Sequence, residues 1–142
     1  MASNLFPTGV RLLDSGDILG LDTIKQTAFA AGVTVGTIPQ GTITGGSFVV
    51  LVSASTTPGT QTTRTAQQMY ADDPTAAPGQ GYVLRICQSG AGTLTLAGGT
   101  GVTVTGTATV ATTTFRDFAV VYGGTPTAPT VTITNIGLGT YT

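Results

Sequence analysis

The sequence predicts an all-β fold: a β-sandwich or jelly roll carrying one short helix and an N-terminal arm. Three observations lead there. Short runs alternating apolar residues with threonine recur at spacings of roughly ten residues, separated by glycine turns, which is the pattern of a two-sheet β protein. The 142 residues include 21 glycines and no glutamate, so the residues that build helices are scarce. Hydrophobic residues make up 40% and charged residues only 8%, a balance that suits a packed core and opposes disorder.

The chain divides into an arm over residues 1–25 and a β domain over residues 26–142. The arm holds Asp14, Asp17 and Asp22 among the apolar residues Leu5, Phe6, Val10, Leu12, Leu13, Ile18 and Leu21. Those apolar side chains need cover on their own domain or on a neighbour. Two short β pieces follow, at Val33–Val35 and Thr42–Thr44, broken by Gly36, Pro39 and Gly41. The run SFVVLVSAS over Ser47–Ser55 has an unbroken apolar centre, which predicts a strand buried on both faces.

TTRTAQQMYADDP, Thr62–Pro74, is the one helical candidate: Thr63 or Thr65 can cap it and Pro74 stops it. Five strand regions follow. Tyr82–Gln88 places Tyr82, Leu84 and Ile86 on one face and Val83, Arg85 and Cys87 on the other. Thr93–Ala97 is expected to pair with it through a tight GAG hairpin. Gly101–Thr113 sets Val102, Val104, Ala108 and Val110 against four threonines, with Gly106 as a bend or bulge. Thr114–Gly123 and Pro129–Gly137 close the sheet. The spacing of the threonine-rich segments is not constant, so no solenoid repeat is predicted.

Function classes are narrowed by what the chain lacks. It has no histidine, no glutamate and no tryptophan, so Ser-His-Asp and Cys-His sites cannot be assembled within it. The reading is of a protein that is not an enzyme and takes no cofactor or metal. Asp14-Ser15-Gly16-Asp17 lacks the rest of a calcium loop. Adjacent Asp72 and Asp73 read as a solvated loop or helix end. Cys87 reads as a small strand hydrophobe, and Arg116 beside Asp117 as an intra-sheet ion pair or subunit contact. GGTG at Gly98–Gly101 is a turn, since no Lys-Ser/Thr and no helix follow it.

Five scattered cations and a net charge of −1 form no basic patch, so nucleic acid is not an expected partner. No apolar stretch is long enough for a membrane span, and the N-terminus lacks the pattern of a secretory signal, so synthesis in the cytoplasm is expected. Near-zero charge with a positive mean hydropathy favours association, so partner subunits are expected to cover part of the surface. Ice or sugar recognition could use the threonine rows. Their irregular spacing and the 6% aromatic content favour a plainer role, in which threonine forms neutral strand faces that pack without repulsion.

The segment from Thr62 to Gly123 carries a TRTA helix start, then LRI, then GTLTLAGGTGVTVTGTATVAT, then Phe115-Arg116-Asp117-Phe118. It resembles small virion structural proteins of tailed bacteriophages, of the head decoration or cement type. That resemblance covers less than half the chain. It implies a β-rich protein on the capsid exterior, made in the host cytoplasm, that binds the major capsid protein and stabilises the shell by bridging neighbouring subunits. It implies a homo-oligomer, a trimer favoured. On this reading Leu5, Phe6, Val10, Arg11, Leu12 and Leu13 of the arm make the contact with the shell or a sister subunit. The alternative is a tail or head-fibre component, or a receptor- or carbohydrate-binding module.

Overall fold

In the computed structural model, which describes residues 24–28 and 35–141, the chain winds back and forth between two sheets. Strands β1 (Ile24–Ala28), β3 (Phe48–Ser53) and β5 (Gly81–Gln88) lie side by side and parallel in the larger sheet. Strands β2 (Val35–Thr37), β4 (Gly59–Thr62) and β6 (Leu94–Ala97) do the same in the smaller one. Each pair of consecutive strands is therefore one coil stacked on the last. Ile24 lies opposite Phe48 and Phe48 opposite Val83, so the coils advance by 24 and then by 35 residues. The longer interval contains helix α1 (Ala66–Asp72). The period is indeed not constant, but the chain still coils, because the helix is accommodated outside the stacked strands.

The remaining strands complete the sheets differently. They are β7 (Val102–Thr105), β8 (Thr109–Val110), β9 (Thr114–Thr125) and β10 (Ala128–Thr140). The six-stranded sheet has the order β1-β3-β5-β9-β10-β7, and the four-stranded sheet β2-β4-β6-β8. β9 runs antiparallel to β5 and β10, β8 runs antiparallel to β6, and β7 runs parallel to β10. Both sheets are thus mixed. A jelly roll is built from antiparallel pairs, whereas most ladders here are parallel; successive strands join opposite sheets, so few of them can pair as hairpins.

Three local expectations change accordingly. GAG does not make a hairpin: β5 and β6 lie in different sheets, and the linking corner stacks on the corner between β3 and β4. Ser89 N donates to Ser53 O at 2.8 Å, Gly92 N to Ser55 O at 3.1 Å, and the buried Gln88 amide to both Ser55 O and Gly92 O at 3.0 and 2.7 Å. A Cβ on Gly90 or Gly92 would overlap the backbone of Ala54–Thr57, so only glycine lets the two corners touch. Secondly, VTVTGTATV is not one strand. Gly106 adopts φ +78° and sends the chain from the large sheet into the small one. Thirdly, β3 alternates between half-buried and buried residues and has one packed face only, and Thr42–Thr44 forms bends rather than a strand.

The core fills the space between the sheets. Val49, Leu51, Leu84, Ile86, Phe118, Val120, Val131 and Ile133 point in from the large sheet; Leu94, Leu96 and Val110 meet them from the small one. Burial of each such side chain contributes roughly 1.5–3 kcal/mol against the entropy of ordering the chain. The inward set in β5 and β6 is the one the alternation predicts. The helix is capped as expected: Gln68 N donates to the Thr65 hydroxyl and Thr65 N to the Gln68 side chain, a complete capping box. Met69 and Ala66 seat it on the core.

A polar network locks the other end of the helix. Asp73, the C-cap residue, is 3% exposed. Its carboxylate accepts from Tyr122 OH at 2.8 Å, Thr75 N at 2.9 Å and the Thr75 hydroxyl at 2.7 Å. Tyr70 stacks edge-on against Tyr122 at 4.9 Å and donates to Gly123 O, and Tyr82 donates to Ile43 O. Asp72 instead pairs with Arg64 at 2.7 Å. The two adjacent aspartates stand at the helix end, one of the two places the sequence allowed, but neither is solvated. Each is taken up by a different partner, because the helix end points into the protein.

Candidate binding face

The outer face of the large sheet gathers the side chains that alternation leaves out of the core. On β3 these are Phe48, Val50 and Val52, on β5 Val83, Arg85 and Cys87, and on β9 Phe115, Asp117, Ala119 and Val121. Register aligns them into rows: Phe48, Val83 and Ala119; then Val50, Arg85 and Asp117; then Val52, Cys87 and Phe115. All are half-buried except Val121, which is 43% exposed. Beyond β9 the same face turns to hydroxyls. Thr132 lies beside Thr103, and Thr134 beside Thr105, with their outer hydroxyls 3.0 Å apart in the second pair.

One ion pair sits in the apolar half. Arg85 donates to both carboxylate oxygens of Asp117, at 2.7 and 2.8 Å. Its guanidinium lies 4.0 Å from the Phe115 ring centre and 5.5 Å from that of Phe48. Both residues of the pair lie on neighbouring strands at directly opposed positions, so the fork geometry needs no distortion. The carboxylate hydrogen bonds hold the Arg85 pKa above its ordinary value, with burial acting the other way. The charge is therefore closed within the face.

Cys87 flanks this pair. Burial pushes its thiol pKa up, and the nearby Arg85 offsets this only in part. A thiol so placed is mostly protonated at neutral pH and a poor nucleophile. Arg116 does not pair with Asp117. Alternation puts it on the opposite side of β9, where its Nε donates to Thr109 O at 2.8 Å. The Arg85–Asp117 contact was missed in the sequence because it joins residues 32 apart. Its only signal was that each stands on the solvent side of an alternating strand.

The threonines divide between two surfaces. Thr95 and Thr109 touch at 3.2 Å on the outside of the small sheet, while Thr103, Thr105, Thr132 and Thr134 lie on the large one. No single ladder is formed from the threonine-rich stretch. GGTG is a turn, with Gly101 at φ +79° and Val102 N donating to Gly99 O at 2.9 Å. The predicted contact residues Leu5, Phe6, Val10, Arg11, Leu12 and Leu13 lie outside the described residues. The boundary drawn after residue 25 falls within β1, which is paired along its length with β3. Among the described residues no three His, Cys, Asp or Glu side chains come together, and no helix is long and apolar enough to cross a membrane.

Comparison of the chain with family models, with curated proteins and with solved structures yields no match.

Proposed function

We propose that this chain is a structural, non-catalytic protein of a bacteriophage virion, a head decoration protein whose β body packs against the major capsid protein on the capsid exterior. The observation that carries this reading is the outer face of the large sheet. It is apolar across β3, β5 and β9, hydroxyl-bearing across β10 and β7, and its Arg85–Asp117 charge is already neutralised in place. Such a face can be covered by a neighbour without stranding an unpaired ion, which is the costly event in forming an interface.

The paired sheets are read as a coiled variant of a β-sandwich, with the inner faces sealed by the core and the outer faces left for contacts. Association as a homo-oligomer, and gripping of the shell by Leu5, Phe6, Val10, Arg11, Leu12 and Leu13, belong to the same reading. An oligomer whose linked subunits engage neighbouring shell sites together would hold each weak contact more strongly through multivalency.

The test is the copy number per particle, measured by quantitative mass spectrometry of purified virions. Hundreds of copies, comparable with the major shell protein, are expected. A handful of copies would move the protein to the tail or a fibre, and its absence from the particle would end the structural reading. Deleting residues 1–13 should abolish shell binding while the β body stays folded; undiminished binding refutes the role of the arm.

A further inference from the structure

The large sheet ends in an unusual way at β10. β7 covers the outer edge of β10 only along Val131–Thr134. There Gly106, at φ +78°, turns the chain away, packed so closely on Asn135 that a Cβ would lie 3.1 Å from the Asn135 Cβ. The Asn135 side chain closes this junction, donating to Thr107 O at 2.7 Å and accepting from Gly137 N at 3.0 Å. Beyond it, β10 continues to Thr140 against β9 alone, and its other edge has no strand beside it among the described residues.

The side chains on this stretch are equally uncovered. A bulge between Asn135 and Gly137 resets the alternation. Gly139 then faces the Phe115 ring, which occupies the space a side chain would need. Ile136 and Leu138 are 57% and 59% exposed, the most exposed large apolar residues described. Natural edges are protected by lysine, proline or other charge. β10 has no charged residue anywhere, and its one proline, Pro129, lies at the far end.

We infer that the Ile136–Thr140 edge of β10 pairs antiparallel with the same edge of a second copy. Backbone hydrogen-bonding groups along an open edge call for a strand. The segment carries no charge, so two identical copies meet without repulsion, and a two-fold axis makes one edge complementary to itself. With the axis near Leu138, the two Leu138 side chains meet and each Ile136 lies opposite Thr140. The contact closes after two copies, giving a dimer and a continuous sheet through both subunits, in place of the favoured trimer. It stands on the edge alone and does not depend on the capsid reading.

Sedimentation velocity of the full chain should show a concentration-dependent dimer. Leu138→Lys brings two cations together across the axis and should weaken dimerisation roughly hundredfold or more, with thermal unfolding of the monomer unchanged. A monomer at high concentration, a trimer, or a dimer indifferent to Leu138→Lys overturns the inference. Should that variant fail to fold, Leu138→Cys in a Cys87→Ser background gives a second reading. Opposed Cα atoms in an antiparallel pair are close enough for a disulfide, so mild oxidation should produce a covalent dimer. Thr127→Cys, in the β9–β10 turn, should not. Equal cross-linking of both refutes the pairing.

Discussion

Removing one oxygen, by Tyr122→Phe, tests whether the network around Asp73 holds the helix to the sheets. Tyr122 is 2% exposed and donates to the Asp73 carboxylate at 2.8 Å. Its ring contacts, including that with Tyr70, survive the change, so only the hydroxyl is probed. Asp73 keeps its two bonds from Thr75 but loses the one that ties it to β9. A hydrogen bond to a charged group contributes about 1.5–3 kcal/mol. A chain of this length loses roughly 3–4 °C of Tm per kcal/mol, so a fall of about 5–10 °C is expected by calorimetry. Tyr70→Phe, which removes a half-exposed bond to a neutral carbonyl, should cost about 1 kcal/mol at most. A double-mutant cycle with Asp73→Asn should show coupling between positions 73 and 122. If Tyr122→Phe stays within about 0.5 kcal/mol of the parent, the carboxylate–phenol bond does not anchor the helix and the reasoning fails.

Four further outcomes are expected. Thr65→Ala opens the capping box and should cost about 1 kcal/mol, seen in urea titration; no shift in midpoint would mean that packing alone sets the helix start. Gly90→Val places a side chain into the backbone of the neighbouring corner and should cost more than about 2 kcal/mol, or prevent folding; a stable, soluble variant would contradict the stacked coils. Burial raises the pKa of Tyr82 and Tyr122 above the ordinary 10.0, so the folded state favours the neutral phenols. Their contribution is complete well below pH 10 and is lost progressively as the pH rises through and above it; denaturant titrations showing a flat profile from pH 9 to 11.5 would exclude this. Finally, Cys87 should alkylate more slowly at pH 8 than free cysteine, because burial favours its thiol; an equal or faster rate would mean that Arg85 dominates its surroundings.

Alternation made half of the fold legible. Tyr82, Leu84 and Ile86 inside with Arg85 and Cys87 outside follows from the period of two in a strand, which depends only on adjacent residues. The cap at Thr65 and the break at Gly106 are local in the same way: a hydroxyl three residues from an amide, and a residue able to take positive φ. The candidate face was half visible for the same reason, since its outward residues were assigned correctly on β5 while their partners were not. Asp117 does enter an intra-sheet ion pair, but with Arg85 on the neighbouring strand; Arg116 faces the other side, because consecutive side chains on a strand point to opposite faces.

By itself, then, the sequence determined that the chain is strand-rich, which side of most strands is apolar, and that the helix of the described residues starts beside Thr63 or Thr65. Which strand lies beside which was decided only in the tertiary structure. A parallel neighbour such as β3 for β1, or β5 for β3, is separated along the chain by a full coil, and one coil is lengthened by the helix, so no fixed interval marks the partner. The stacking of the Gly90–Gly92 corner, the Arg85–Asp117 pair and the open edge at Ile136–Thr140 all arise from contacts between distant segments. Their energies depend on the register of the whole sheet, which no window of neighbouring residues contains.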